Sequence, residues 1–223
     1  MIKASHIFVV AVLVFGVSVA IPAHAGWVLY DDFESGSIDP TKWNIDDSSA
    51  TISIEGGQAK FVHQQGHAED PSYLLLKPTQ SVKAIRAKLR VESCSGDVRV
   101  RVKGNKWVDD QGYEMYQQLA ADAQNQTIHY YCGALDKVNS VDQYELFYGQ
   151  FYRPIPVLGQ TYSVEISFTD NWLRASVDGL GDLFFHAGAS WTEREDPFYG
   201  IGTKSVNGDG PCTAYFDDVY VKY

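Results

Sequence analysis

The last eleven residues, Thr213-Ala214-Tyr215-Phe216-Asp217-Asp218-Val219-Tyr220-Val221-Lys222-Tyr223, are rich in β-branched and aromatic side chains and predict a strand running to the final residue. Its natural mate, Trp27-Val28-Leu29-Tyr30-Asp31-Asp32-Phe33-Glu34, lies near the other end of the sequence. A compact domain can close itself by pairing two such terminal strands. The expectation is therefore an all-β chain with its N- and C-terminal strands adjacent.

The segments between them support that class. Thr51 to Glu55 alternates cleanly, Gly56-Gly57 turns the chain, and Gln58 to Val62 returns it as a hairpin. Ser72 to Leu76 and Val82 to Val91 read as strands, the second with one core face and one wet face. After the Ser95-Gly96 turn, Asp97 to Lys103 is the most regular period-two run in the chain. Tyr116, Leu119, Ala120 and Ala123 fit helical spacing, but the context of Tyr113 to Gln124 favours a strand. Further strands are predicted at Thr127 to Leu135, Gln143 to Arg153, Tyr162 to Phe168, Leu173 to Val177, Gly181 to Ala187 and Phe198 to Val206. Trp191 to Asp196 reads as a helical turn or loop. Many short strands with turn residues between them predict a two-sheet antiparallel sandwich. No repeat or linker divides residues 26–223, so one domain is expected.

Residues Met1 to Ala25 have the layout of a secretory signal. Lys3 gives a positive start, Ile7 to Ile21 an apolar stretch, and Ala23-His24-Ala25 a small-x-small cleavage site. The expected location is secreted or periplasmic. With 28 acidic against 18 basic residues the net charge is −10. That balance argues against nucleic acid and anionic membrane surfaces as partners. In an oxidising compartment, Cys94, Cys132 and Cys212 imply one disulfide and one free thiol. Cys94 and Cys132 both fall at or near predicted strand ends and are the favoured pair.

Three motifs in order are similar to the concanavalin A-like lectin/glucanase superfamily, including its laminin-G-like members. The opening Asp32-Phe33-Glu34-Ser35-Gly36-Ser37-Ile38-Asp39-Pro40-Thr41-Lys42-Trp43 resembles that family's start. The run Tyr162 to Ile166 followed by Asn171 to Gly179 resembles its two late strands ending in Val-Asp-Gly, and Phe216-Asp217-Asp218-Val219-Tyr220-Val221 resembles its end strand. The resemblance implies a jelly roll of two curved sheets that holds glycans on its concave face or loop edges. It also implies a structural Ca²⁺ where the terminal strands meet, with Asp217, Glu34 and Asp32 at the matching positions. Oxygen ligands suit that ion.

Glycosidases use two carboxylates, and the jelly-roll glucanases draw theirs from one strand carrying Glu-x-Asp-x-(x)-Glu. No such run occurs here. In Asp142-Gln143-Tyr144-Glu145 the two acids fall on opposite faces of a regular strand. An acid pair would have to join Glu145 with Glu114 or Glu165 from other strands. Aromatic residues offer a different chemistry. Tyr144, Tyr148 and Tyr152 share one face of a regular strand, next to Tyr131, and sugar rings stack on such surfaces. The packing of a wide sheet would also account for them. His63, His67, His129 and His186 are dispersed and read as satisfied or exposed.

The leading expectation is an exported carbohydrate-binding, lectin-like domain using Tyr144, Tyr148, Tyr152 and Tyr131. The second is a glycoside hydrolase or lyase with a non-standard acid pair from Glu145, Glu114 and Glu165. The third is a protein-binding adhesion domain. A close carboxylate pair would favour the second, a tyrosine row without one the first, and a flat apolar rim patch the third.

Overall fold

A computed structural model describes residues 26–64, 71–78, 81–136, 141–151, 156–169, 171–186, 191–206 and 210–223, with backbone alone at 135–136 and 141–144. The expected signal, residues 1–25, lies outside the described residues, as do Tyr152 and His67. The chain begins with β1 (Val28–Asp31), β2 (Trp43–Asp46), β3 (Ala50–Glu55), β4 (Gln58–His63) and β5 (Pro71–Leu76). Long strands follow: β6 (Ala84–Cys94), β7 (Val98–Val108), β8 (Glu114–Asp122), β9 (Thr127–Asp136) and β10 (Val141–Gln150). It ends with β11 (Thr161–Thr169), β12 (Trp172–Val177), β13 (Gly181–His186), β14 (Thr192–Ser205) and β15 (Cys212–Lys222).

These strands form two antiparallel sheets. One runs β13-β12-β11-β6-β15-β4-β3, with β1 added on β15; the other runs β10-β9-β8-β7-β14-β5-β2. The terminal strands pair as expected, Val28 opposite Val221 and Leu29 opposite Tyr220. Alternation decides which residues face inward. On β6, Ile85, Ala87, Leu89 and Val91 are buried, and on β7 Val98, Val100 and Val102 meet them from the other sheet. Phe61, Phe168, Tyr130, Phe216 and Leu74 fill the space between the sheets. Burying a large apolar side chain stabilises by about 1.5–3 kcal/mol, so this shared core holds the two layers together.

Two expectations are corrected. Trp191 to Asp196 is not a helical turn, because β14 already begins at Thr192. Its pairing with β7 shifts between Glu193 and Phe198, and buried Arg194 forms ion pairs with Glu114 and Asp196 at that irregularity. The second correction concerns the cysteines. Cys94 does not pair with Cys132; all three thiols are free. Cys94 stands opposite Cys212 across the β6–β15 ladder, whereas Cys132 faces the core from the other sheet. The register of β15 on β6 decides this, and register was not readable from cysteine spacing.

Candidate functional site

The seven-stranded sheet sends alternate residues to its outer face. On β7, where the valines point inward, that face receives Arg99, Arg101, Lys103 and Asn105. On β8, Leu119 and Ala121 belong to the core, so Glu114, Tyr116, Gln118, Ala120 and Asp122 point outward. Every residue of β8 is nonetheless buried. The outer face is therefore recessed, a floor rather than an open surface.

The ladder registers arrange this floor in rows. One row runs Lys204, Arg99, Asp122, Thr127. The next runs Gly202, Arg101, Ala120, His129, Gln150. A third runs Gly200, Lys103, Gln118, Tyr131, Tyr148, and a fourth Phe198, Asn105, Tyr116, Gly133, Glu145. Small residues in the last three rows, Gly202 and Ala120, Gly200, and Gly133, leave the long side chains of their neighbours room to lie across the sheet. A Cβ at Gly133 would meet the Tyr131 hydroxyl at 2.6 Å, so the Tyr131 ring occupies that space.

Polar contacts knit the rows together. The Arg101 guanidinium donates to Gln118 Oε1 at 2.7 Å and lies 5.0 Å from the Tyr73 ring centre. Lys103 Nζ sits 4.5 Å from the Tyr116 ring, which is 5.5 Å from Tyr131. His129, buried at 3 % exposure, lies 5.4 Å from the ring of Tyr148, which is 44 % exposed. Gln150 Nε2 donates to Tyr148 Oη at 2.6 Å. Burial foremost, and then the positive charge of Arg99, push the His129 imidazole down to about 4. It is neutral at ordinary pH, and its Nδ1 has no hydrogen-bond partner. No local pattern singles out this histidine; its neighbours come from other strands.

The three acids considered for catalysis do not converge. Glu165 is on β11, in the other sheet, with its carboxylate on Arg174 at 2.9 Å. Glu114 accepts from Asn105 Nδ2 at 2.8 Å and pairs with Arg194. Glu145 lies opposite Gly133, two strands and two residues away from Glu114, which separates their backbones by about 12 Å at ordinary strand spacing. One resemblance emerges only with the strand in place. Glu114-Met115-Tyr116-Gln117-Gln118 has the glucanase spacing on the outer face of β8, but Tyr116 and Gln118 stand where that motif has its later acids. An amide at Gln118 cannot protonate a leaving group.

The tyrosine expectation is corrected in part. Tyr131 and Tyr148 are directly opposite each other on the floor. Tyr144 is not in phase with them, because a register shift between Glu145 and Phe147 puts its backbone opposite the fully buried Ala134. A bulge inserts one residue and reverses the alternation on which the shared tyrosine face depended. Of the three acids expected around Ca²⁺, Glu34 lies over Gly57, Asp217 Oδ2 accepts from the adjacent Gln58, and Asp32 accepts from the Glu34 amide. Among the described residues no three His, Cys, Asp or Glu side chains gather as a metal site.

The other sheet has a hollow of its own. A cavity of about 730 Å³ is lined by Trp27, Trp172, Phe184, Glu165, Arg174 and Lys222, among others. Burial raises the Glu165 carboxyl above its ordinary value, and Arg174 opposes that rise. Arg174 also holds Asp182 at 2.8 Å, so both carboxylates there are tied to one guanidinium.

No family model and no curated protein matches the sequence. Solved structures do match in fold. The endo-β-galactosidase from Clostridium perfringens that releases GlcNAcα1-4Gal aligns with a TM-score of 0.58 at 10% identity, over 86% of this chain and 61% of that one. LamAcat from Zobellia galactanivorans aligns with a TM-score of 0.61 at 10% identity, over 86% and 96%. The kappa-carrageenase from Pseudoalteromonas carrageenovora, in complex with an oligotetrasaccharide of kappa-carrageenan, gives 0.56 at 12% identity, over 92% and 97%. The chain thus spans about three fifths of the first structure and nearly all of the other two. It has the concanavalin A-like lectin/glucanase fold.

Proposed function

We propose that this chain binds a polysaccharide along the recessed outer face of the seven-stranded sheet. The observation that carries the reading is the floor itself: aromatic rings at Tyr116, Tyr131 and Tyr148 set among Arg101, Gln118, His129 and Gln150. Rings of this kind stack on the apolar faces of sugars, and the polar side chains answer their hydroxyls. The carrageenase of the same fold in complex with an oligosaccharide adds weight to a glycan partner. A hydrolase is the second reading, favoured by Glu114 at the first position of the glucanase spacing and by the hydrolytic activities named for several structures of this fold. Affinity electrophoresis against a polysaccharide panel, run beside a reducing-end assay, tests both. Retardation that falls with Tyr148→Ala supports the floor as the glycan site. New ends lost with Glu114→Gln support hydrolysis.

Two further expectations belong to the proposal. Export by residues 1–25 is tested by sequencing the N-terminus of the protein recovered outside the cytoplasm. A calcium ion near Glu34 and Asp217 is tested by thermal unfolding with calcium and with chelator.

A further inference from the structure

We infer that the groove is built for an acidic polysaccharide, one of 4-linked uronate sugars, and that His129 and Tyr148 cleave it by β-elimination. This rests on the reading of the groove as a glycan site. The first argument is charge. The whole chain carries −10, yet Arg99, Arg101, Lys103 and Lys204 take adjacent positions on this one face. Asp122 is the carboxylate registered among them, opposite Arg99. A neutral sugar gives no reason to gather four cations in an acidic protein, whereas a row of sugar carboxylates does.

The second argument is the pair beside those cations. Elimination from a uronate needs its carboxylate neutralised, a base for the hydrogen on C5, and an acid for the oxygen leaving C4. Arg99 and Arg101 supply positive charge next to His129, close enough to weigh on its protonation. Neutral His129 offers Nδ1, a buried lone pair without a partner, as the base. Tyr148 Oη already accepts from Gln150, which leaves its own O–H free to donate outward. The electrons balance without any added reactant. His129 takes the C5 proton, the C5–H pair becomes the C4=C5 double bond, the C4–O4 bond breaks, and Tyr148 protonates O4. Proton exchange with water then restores both side chains. This chemistry uses no carboxylate pair, in keeping with Tyr116 and Gln118 at the later positions of the glucanase spacing.

The test incubates the full chain with a 4-linked polyuronate and, separately, with a neutral β-glucan. It follows binding by affinity electrophoresis and unsaturated uronate by its ultraviolet absorbance. The expected result is unsaturated ends from the polyuronate, with the rate reduced about 100-fold or more by Tyr148→Phe or His129→Gln. Arg99→Ala should raise KM more than it lowers kcat. Tyr148→Phe removes one exposed hydroxyl, so its loss of rate is readable even if the buried His129 variant folds poorly. Binding of polyuronate without unsaturated ends overturns the inference. Binding of the neutral glucan alone also overturns it but leaves the groove as a glycan site. If neither polymer binds, both readings fall.

Discussion

Asp31 Oδ2 accepts the indole N–H of Trp43 at 2.7 Å, while its other oxygen accepts the backbone N–H of Phe33 at 3.1 Å. One carboxylate thereby ties β1 to the first residue of β2. Phe33 takes a positive φ of 55°, and its ring stacks at 5.8 Å on Trp43. Both rings are essentially inaccessible to water. The opening motif thus joins the end of β1, in one sheet, to the edge strand of the other.

Asp31→Ala removes both bonds and leaves a buried indole N–H without an acceptor. The expected loss is about 2–3 kcal/mol, the range for a buried group deprived of a charged partner. Urea denaturation of the variant should show a lower midpoint with an unchanged slope. An unchanged midpoint would mean that Asp31 does not hold the motif together.

The cysteines give a second test. Cys94 and Cys212 are cross-strand partners, and the thiol of each perturbs the other: hydrogen bonding between them lowers Cys94 and raises Cys212. Cys132 is buried, and burial raises its thiol well above the ordinary value. Oxidation by a glutathione disulfide buffer should join Cys94 to Cys212, with loss of two hydrogens in the intact mass. Cys132→Ser should keep that crosslink, and Cys212→Ser should abolish it. A crosslink that includes Cys132 would contradict the register of β15.

What the sequence revealed depended on whether a signal was local. Alternation is local, so Asp97 to Lys103 could be read as a strand and the terminal segments as partners. The cations of that same run were equally legible; Arg99, Arg101 and Lys103 are its polar face. They pass unnoticed when charge is counted over the whole chain instead of by face. The partners of His129 were not legible, since Arg101 and Gln150 reach its row through the register of three ladders. Nor was the bulge that separates Tyr144 from Tyr148, because a single extra residue leaves no mark in a run already crowded with aromatics. Helical spacing at Tyr116 to Ala123 lost to the neighbouring strands, whose unpaired edges β8 satisfies on both sides.

The two faces of the sandwich can be separated by one conservative change on each. Glu165→Gln alters the hollow beside Trp172 and leaves Asp182 as the carboxylate partner of Arg174, yet touches nothing on the seven-stranded sheet. Glycan binding should survive it. Tyr148→Ala should weaken binding by up to about 10-fold, the order expected for losing one aromatic contact of about 0.5–1.5 kcal/mol. The reverse pattern in affinity electrophoresis would move the site to the hollow on the other sheet.

His129 makes acid stability a measure of the groove. Its imidazole titrates at about 4 in the folded chain against 6.5 ordinarily. Between those values the unfolded chain binds a proton that the folded one refuses. Stability therefore falls as pH drops from about 6.5 to 4 and gains no further slope from this group below that, when both states are protonated. Arg99 and Arg101 deepen the effect, while Asp122 opposes it. The shift corresponds to at most about 3 kcal/mol across the window. His129→Gln removes the group, so the variant should lose less stability than the parent over the same range. Urea midpoints measured at intervals through that window, for parent and variant together, isolate the contribution from the titration of the acids. Parallel profiles would mean that the imidazole is solvated and protonates normally, and His129 would then be no poised base on the floor.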